Sequence, residues 1–529
     1  MGVYERHEGR GEHFKEIMKG VYEIKLNIDE SESSAIELAK RKFGKGARQI
    51  QILKKSLDAR KKDDIFWRYS ISVSDEEEIK EPPLEKIQMP QKVVVIGGGP
   101  AGLFCALRLI DRGFLPIIVE RGEPVEERKE SVARFMEERK LNVNSNVQFG
   151  EGGAGAFSDG KLNTQTKDGL NKEVLKIFHK FGAPQEILYL NKPHVGSDNL
   201  YSILKNVRKY IEDNGGEYLF DSLFCGVKKR ENSLESVILK NVKSGVLSEI
   251  QTNCAVVAIG HSANDTFEML NKSGVLMEAR EFAVGVRIEH LSSQIGFSQY
   301  GKDYKKLPAA DYKLVSHAHE RTVFTFCMCP GGVVIPSASE EGGVVTNGMS
   351  LYARDGENSN SALMVQMKSS DFKGDDLFAG MRFRRELEQK AFNFCGKNYS
   401  APVQLYGDFV KNRISDGFKE VKATYGAGTV FAPLHEILPP VASDALKKAI
   451  PDMDKKLSGF ASSGAVLTGV ETRFSSPVRI LRGESGESVS LSGLYPCGEG
   501  SGYSGGITSS AADGLHTAEK IYEKFKNIQ

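Results

Sequence analysis

The chain has 529 residues, of which 40% are hydrophobic, and its 71 basic and 70 acidic side chains give a formal charge of +1. This length exceeds that of one hydrophobic core and predicts two or three domains. The balanced charge excludes a global basic surface for nucleic acid or an anionic membrane. Seven cysteines form no CxxC pair, and we find no apolar signal core and no transmembrane run. We therefore expect a cytoplasmic protein.

The first domain is predicted to be small. Residues 1–20 are polar and irregular, and residues 21–75 predict an α+β unit with the order strand, helix, strand, strand, for which a ferredoxin-like half-motif is plausible. The stretch 40–62 is basic. It has two interpretations, a solvated face or a surface for RNA or an acidic partner. Residues 76–91 form a polar linker because paired prolines and like charges disfavour packing.

A glycine fingerprint follows the linker. The apolar run 93–96 predicts a strand buried on both faces. Gly97, Gly99 and Gly102 then form GxGxxG ahead of a helix predicted over 101–112. The first glycine allows a tight turn, the second lets the backbone approach a pyrophosphate, and the third lets helix and strand pack closely. The N-terminus of the helix would face the phosphates.

An acidic residue accompanies the fingerprint. A second strand, predicted over 115–119, ends at Glu120, 23 residues after Gly97, where a carboxylate binds ribose hydroxyls. A glycine-rich hairpin without a ligand would leave Glu120 unexplained. The sequence therefore predicts dinucleotide binding, although the fingerprint alone does not separate FAD from NAD.

Two later glycine segments favour FAD. Residues 150–162, GEGGAGAFSDGKL, combine small residues with Ser158, Asp159 and Lys161, so this loop can pass close to a flat ring or a phosphate. Residues 493–514 predict a short strand, a glycine loop and a helix rich in small residues.

At these motifs the chain resembles the glutathione-reductase-type flavoproteins, in which the C-terminal segment returns to complete the flavin site. Their pattern of apolar strand, Gly-(Asp/Glu), glycine-rich turn and helix matches residues 494–507. The resemblance implies that Glu499 lies near the pyrophosphate or ribityl chain and that the helix start at 505–507 faces the flavin. The stretch 255–261 is similar to the superfamily's other marker, near the adenosine half.

More narrowly, GEGGAGAFSDGKL, CMCPGG and LYPCGEGSGYSGGITSSAADG look like a bacterial group of predicted FAD-utilising dehydrogenases. The chain lacks the second GxGxxG unit and the CxxxxC pair of a disulfide reductase. The architecture therefore looks closer to fumarate reductase-like or amino-acid-oxidase-like enzymes. The expected fold class is α/β, with a Rossmann-type FAD domain (92–285 and 465–529), an inserted β-rich (α+β) cap or substrate domain (286–464) and the small N-terminal α+β domain.

The cofactor expected is non-covalent FAD, with NAD(P)H as a candidate transient donor. The residues predicted to bind FAD are Gly97, Gly99, Pro100, Ala101, Gly102, Glu120, Arg121, Gly152, Gly153, Ala154, Ser158, Asp159, Gly160, Lys161, Gly260, Gly498, Glu499, Gly505, Gly506 and Ile507.

Three residues are catalytic candidates, and each has a structural alternative. Lys161 could stabilise an anionic reduced flavin, or it could bind phosphate or lie at the surface. Cys329 shares one face of a predicted strand with Cys327, so the two could present a thiolate or an exchange pair to the flavin, or they could simply pack. Arg473 could clamp a substrate carboxylate, or it could pair with Glu471 or another acid.

His317 and His319 alternate along another predicted strand but lack further ligands at metal spacing, so no metal is expected. The leading functional hypothesis is an FAD-dependent oxidoreductase that transfers hydride to or from a small organic substrate. One alternative is a flavin-containing RNA- or protein-binding factor. Another is a reductase of an isoprenoid or quinone at a membrane surface, for which no strong amphipathic helix is visible. Neither nucleic acid nor a membrane is favoured as a partner.

Overall fold

A computed structural model describes residues 20–43, 47–75, 82–164 and 166–527. The irregular lead-in expected for residues 1–20, except its last residue, lies outside the described residues, as do residues 76–81 of the expected linker. Across the described ranges, no helix has both the length and the apolar composition needed to cross a bilayer.

The N-terminal unit contains the four predicted elements: β1 (Gly20–Asn27), α1 (Glu32–Phe43), β2 (Gln49–Asp58) and β3 (Phe66–Ser74). The strands form an antiparallel sheet in the order β1-β3-β2. Alternate residues of β3, Tyr69 and Ile71, are buried against Ala35 and Ala39 of α1, as expected for a sheet with one covered face. The ferredoxin-like interpretation stays a prediction.

The next part of the chain, up to residue 272, combines strands with helices. Its elements are β4 (Lys92–Ile96), α2 (Pro100–Asp111), β5 (Leu115–Val119), α3 (Val125–Glu138), α4 (Asn171–Lys180), α5 (Gly196–Asp213), β6 (Glu217–Leu219), β7 (Ser222–Arg230), β8 (Ser233–Asn241), β9 (Leu247–Gln251), β10 (Ala255–Val257) and α6 (Asn264–Lys272). The predicted strands around 93–96 and 115–119 and the predicted helix over 101–112 are confirmed within one residue.

The remaining elements follow in chain order. They are β11 (Met277–Ala279), β12 (Phe282–Leu291), α7 (Ser292–Tyr300), β13 (Val315–Ser316), β14 (Val323–Cys329), β15 (Val333–Pro336), β16 (Thr346–Met349), β17 (Asn358–Met367), α8 (Ala379–Phe394), β18 (Ala401–Leu405), α9 (Tyr406–Val410), β19 (Thr429–Phe431), α10 (Leu434–Ile437), α11 (Pro440–Asp454), β20 (Val466–Glu471), β21 (Val478–Ile480), β22 (Leu494–Pro496) and α12 (Ile507–Phe525).

A five-stranded parallel sheet has the order β22-β10-β4-β5-β6. Because β22 pairs with β10, the chain returns from its C-terminal part to complete this sheet. Helices α2 and α12 pack closely, since a Cβ on Gly514 would lie 2.2 Å from the carbonyl oxygen of Ala101. Because these strands are parallel, the turns that follow β4, β5, β10 and β22 lie at the same edge of the sheet. This is the edge at which ligands bind in open parallel sheets.

A seven-stranded sheet has the order β13-β14-β17-β12-β20-β18-β19 and is antiparallel except for the pair β18 and β19. Its strands lie within residues 282–471. Helix α11 packs on the sheet, and the two share one apolar core. In its central strand β12, Arg287 and Glu289 are buried together with the apolar residues. Buried charges need partners, and those of Arg287 belong to the site described next.

Candidate functional site

A cavity of about 770 Å³ lies between the carboxyl edge of the parallel sheet and the seven-stranded sheet. One wall consists of the turns after β4, β5, β10 and β22, together with the loop that contains Gly153. The opposite wall includes residues 324–328 of β14, Asn347 and Glu471. A cavity of this size holds a cofactor-sized molecule.

Most of the residues predicted to bind FAD line this cavity; Gly102 and Gly152 do not. A Cβ on Gly102 would lie 2.0 Å from the carbonyl oxygen of Gly97, so Gly102 allows the helix to pack on the turn. Gly152 has a φ of +85°, and a Cβ there would lie 2.4 Å from Leu204. These two glycines shape the turns from behind the cavity wall.

Glu120 joins the first two glycine turns. Its Oε2 accepts a hydrogen bond from the N–H of Gly98 at 2.8 Å, and its Oε1 accepts from Gly122 at 2.9 Å and Gly150 at 3.0 Å. The N–H of Gly152 donates to the carbonyl of Gly98 at 2.8 Å. The fingerprint and the later loop, about fifty residues apart in the sequence, therefore form one surface.

Two helices point uncapped N-termini at the cavity. Helix α2 begins after Gly99 and helix α12 after Gly506, and neither has a side-chain cap or an acidic residue in its first turn. Their free N–H groups and positive dipole ends favour anionic or electron-rich groups. A Cβ on Gly505 or Gly506 would meet no protein atom within 4 Å, so the entrance to α12 is open space.

Lys161 brings a loosely held positive charge to the cavity. Its Nζ lies 3.8 Å from Oδ2 of Asp159, and the side chain is 27% exposed. Asp159 is engaged by Arg354, whose Nε donates to Oδ1 at 2.9 Å and whose Nη2 donates to Oδ2. Because Arg354 already neutralises Asp159, the Lys161 ammonium remains available to a ligand.

The two cysteines of β14 do not lie on one cavity-facing surface. The register of β14 shifts between Phe326 and Cys329, and Cys327 has a φ of +42°. Cys327 lines the cavity, whereas Cys329 is fully buried behind it. The prediction of Cys329 as the catalytic thiol is therefore corrected, because the bulge turns Cys327 to the cavity.

The predicted role of Arg473 is also corrected. Arg473 lines the cavity, but its Nε and Nη2 each donate to Glu388 at 2.8 Å, so its fork is occupied by that carboxylate. Glu471, considered as its partner, instead accepts from Nε and Nη2 of the fully buried Arg287 at 3.0 and 3.2 Å. The sequence analysis did not predict Arg287 as a site residue. The signal that could have found it is a charged residue inside a mostly apolar strand.

Glu499 and His261 are among the titratable groups of the cavity whose pKa values are shifted. Burial raises the pKa of Glu499 from 4.5 to about 7, against the stabilising N–H of Gly506. Burial, aided by Arg384 and Arg473, lowers the pKa of His261 to about 3. His261 is therefore neutral at pH 7, with its Nε2 2.8 Å from the carbonyl oxygen of Arg473. Glu499 can therefore hold or release a proton near neutral pH.

An aromatic group on the wall formed by the seven-stranded sheet was missed by the sequence reasoning. Phe474 makes edge contacts with Phe326 and Phe324, at centroid distances of 4.5 and 5.2 Å, and all three rings line the cavity. The only signal was the alternation of the two phenylalanines along β14. Their contact with Phe474, nearly 150 residues away, depends on the fold.

The histidines considered for metal binding lie outside the cavity wall. The strand that was predicted to contain both histidines ends at Ser316, before either of them. Nδ1 of His319 accepts a hydrogen bond from the N–H of Arg321 at 3.2 Å. Thr322 and His317 lie within hydrogen-bonding distance, at 3.3 Å. Within the described ranges, no group of three or more metal-ligating side chains is assembled.

A GxGxxG turn, an acid at the end of the second strand and a returning C-terminal strand define a dinucleotide-binding α/β protein. Family models agree: an FAD binding domain matches residues 92–132, and an FAD-dependent protein, C-terminal domain-like, matches residues 281–474. A domain of unknown function matches residues 18–74. These matches support an FAD-dependent oxidoreductase.

The chain is 47% identical over 502 residues to an uncharacterized protein of Clostridium beijerinckii, covering 90% of this chain and 93% of that protein, and it belongs to the same family. Solved structures that match this chain include a triple mutant of the flavin-dependent brominase Bmp2 (11% identity, 83% of this chain and 81% of that chain, TM-score 0.38). A variant of E. coli quinol fumarate reductase FrdA is 10% identical over 84% of this chain and 72% of that chain, with a TM-score of 0.37.

Proposed function

We propose that this protein binds FAD non-covalently in the cavity and transfers hydride between the flavin and a small organic substrate. The observation that carries the proposal is that Gly99, Gly153 and Gly505, far apart in sequence, line one cavity. We also propose that the chain belongs to the glutathione-reductase-type superfamily, as a form with a single FAD domain and a covering domain.

The residues present fit FAD along the length of the cavity. Oε2 of Glu120 accepts only one backbone hydrogen bond, so it retains acceptor capacity for a ribose hydroxyl. Arg121, held by Asp265 at 2.8 Å and stacked on Phe149, forms the wall at that end. The N-terminus of α2 suits the pyrophosphate, and the open N-terminus of α12 suits the electron-rich edge of the flavin.

Bound flavin supplies the hydride chemistry, and the chain positions the substrate and excludes water. The charge of Lys161 attracts an anionic group or stabilises negative charge on a reduced ring. The rings of Phe324, Phe326 and Phe474 bury an apolar substrate body. Glu499, with its pKa near 7, holds or moves a proton during turnover.

The test is an anaerobic titration of the purified, FAD-loaded protein with NADH, NADPH, hydroxy acids, amines and enoates. We expect the bound flavin to bleach with at least one donor, much faster than free FAD at the same concentration. Lys161→Met should slow reduction by its donor, whereas Lys172→Met, on the surface helix α4, should not. A colourless protein that cannot be reconstituted with FAD would refute the proposal.

We propose no nucleic-acid partner for the N-terminal unit. Several of its basic side chains pair with acids of the same unit: Lys55 with Glu32 at 2.8 Å, and Arg60 and Arg68 with Asp58. These pairs reduce the positive potential that a phosphate backbone would require.

A further inference from the structure

Two cysteines of β14 belong to one wall of the cavity: Cys327 lies at its surface, and Cys329 is buried behind it. We propose that Cys327 and Cys329 form a redox pair that exchanges two electrons with the flavin bound in this cavity. The inference rests on the proposed FAD site and adds a second electron store to it.

Cys327 is partly buried and has a costly backbone conformation. It lines the cavity with a φ of +42°, in a region that a residue with a Cβ adopts only when its surroundings enforce it. Arg287 supplies that enforcement, because its Nη1 donates to the carbonyl of Cys327 at 3.1 Å. Bulges next to active sites commonly re-aim a side chain in this way, and here the re-aimed group is a thiol.

Cys329 has the position of a resolving thiol. It is fully buried, and its Sγ lies 3.3 Å from the carbonyl oxygen of Cys327. Only Cys327 can meet a molecule in the cavity, and only Cys329 lies directly behind it.

The charges around the pair favour one thiolate and one thiol. The neighbouring Cys329 thiol and the positive charge of Arg287 lower the pKa of Cys327, against the effect of burial. Sharing one proton with Cys327, together with burial, raises the pKa of Cys329. A thiolate beside a protonated thiol is the state from which a disulfide forms.

The exchange balances without another reactant. As the bond between the two sulfurs forms, they lose two electrons, and the proton of Cys329 leaves; oxidised flavin accepts both electrons and this proton. The reverse step returns them and restores the thiolate and the thiol. A disulfide between residues two apart closes a strained ring, and strained disulfides are easily reduced, as a reversible pair requires.

The remaining cysteines provide a matched control. Cys395 is also a buried cysteine of the cap, and burial raises its pKa to about 12. It does not line the cavity. A substitution there changes the thiol count without changing the pair.

The experiment is an anaerobic dithionite titration of the air-oxidised, FAD-loaded protein. Wild type and Cys395→Ser should take up about four electrons per bound FAD, two for the flavin and two for the disulfide. Cys327→Ser and Cys329→Ser should take up about two. In parallel, alkylation under denaturing conditions and mass spectrometry should find the wild-type peptide lighter by two hydrogens before reduction.

Uptake of about two electrons by yellow wild-type protein, with both thiols alkylated, would overturn the redox pair and leave the FAD site intact. A protein that binds no FAD would overturn both. If either serine variant fails to fold, the electron count and peptide mass of the wild type and of Cys395→Ser still decide the question.

Discussion

Replacing Gly505 by valine should weaken FAD binding without unfolding the protein. A Cβ at this position meets no protein atom within 4 Å, and its backbone does not lie in the left-handed region. The added side chain therefore occupies only cavity space, directly before the N-terminus of α12. Overpacking of a fitted surface costs about 1–3 kcal/mol, which corresponds to a rise in the Kd for FAD of roughly 5- to 150-fold.

Fluorescence titration of apo protein with FAD measures this Kd, and thermal unfolding of the apo form measures stability. Gly169→Val is the matched control, because a Cβ at Gly169 also meets nothing within 4 Å but Gly169 lies outside the cavity wall. Both apo variants should unfold within about 0.5 kcal/mol of wild type. Unchanged FAD affinity of Gly505→Val would refute the placement of the flavin at α12.

Three further predictions concern buried charges. Glu120→Gln replaces an acceptor that faces backbone N–H groups and should cost about 1–3 kcal/mol in urea unfolding, with weaker FAD binding; a neutral effect would contradict the role of this carboxylate. Arg287→Met alone should cost about 3–5 kcal/mol, whereas the double variant with Glu471→Leu should recover most of it, so additive losses would contradict the buried ion pair. Because the pKa of Glu499 is raised from 4.5 to about 7, its contribution to apo stability is present below pH 4.5 and is lost as the pH rises through 7. The melting temperature of the apo Glu499→Gln variant should therefore fall less than that of wild type as the pH rises from 4.5 to 7. An equal fall in both proteins would contradict the raised pKa of Glu499.

The local patterns predicted the cofactor wall of the cavity well. A strand buried on both faces, a GxGxxG turn and Glu120 define one local unit, and the structure contains it with nearly the predicted bounds. The convergence of the 150–162 loop and the C-terminal glycine segment was implied by resemblance, and the hydrogen bond that the Thr508 hydroxyl donates to the carbonyl of Leu162 at 2.7 Å gives it a physical basis.

The wall formed by the seven-stranded sheet could not be predicted from local patterns in the same way. An alternating strand pattern places Cys327 and Cys329 on one face, and a one-residue bulge separates them. The sequence offered Glu471 or another acid as the partner of Arg473 and could not specify which; the partner is Glu388 of α8, more than eighty residues earlier. Such pairings depend on long-range packing, which no local period encodes.

The most direct test of the account is a crystal structure of the protein with FAD. We predict continuous density for one FAD molecule, with the ribose against Glu120, the pyrophosphate before α2, and the flavin between Gly153 and the N-terminus of α12. FAD bound elsewhere, or a cavity that stays empty at saturating FAD, would contradict the central claim that these distant glycine turns form one cofactor site.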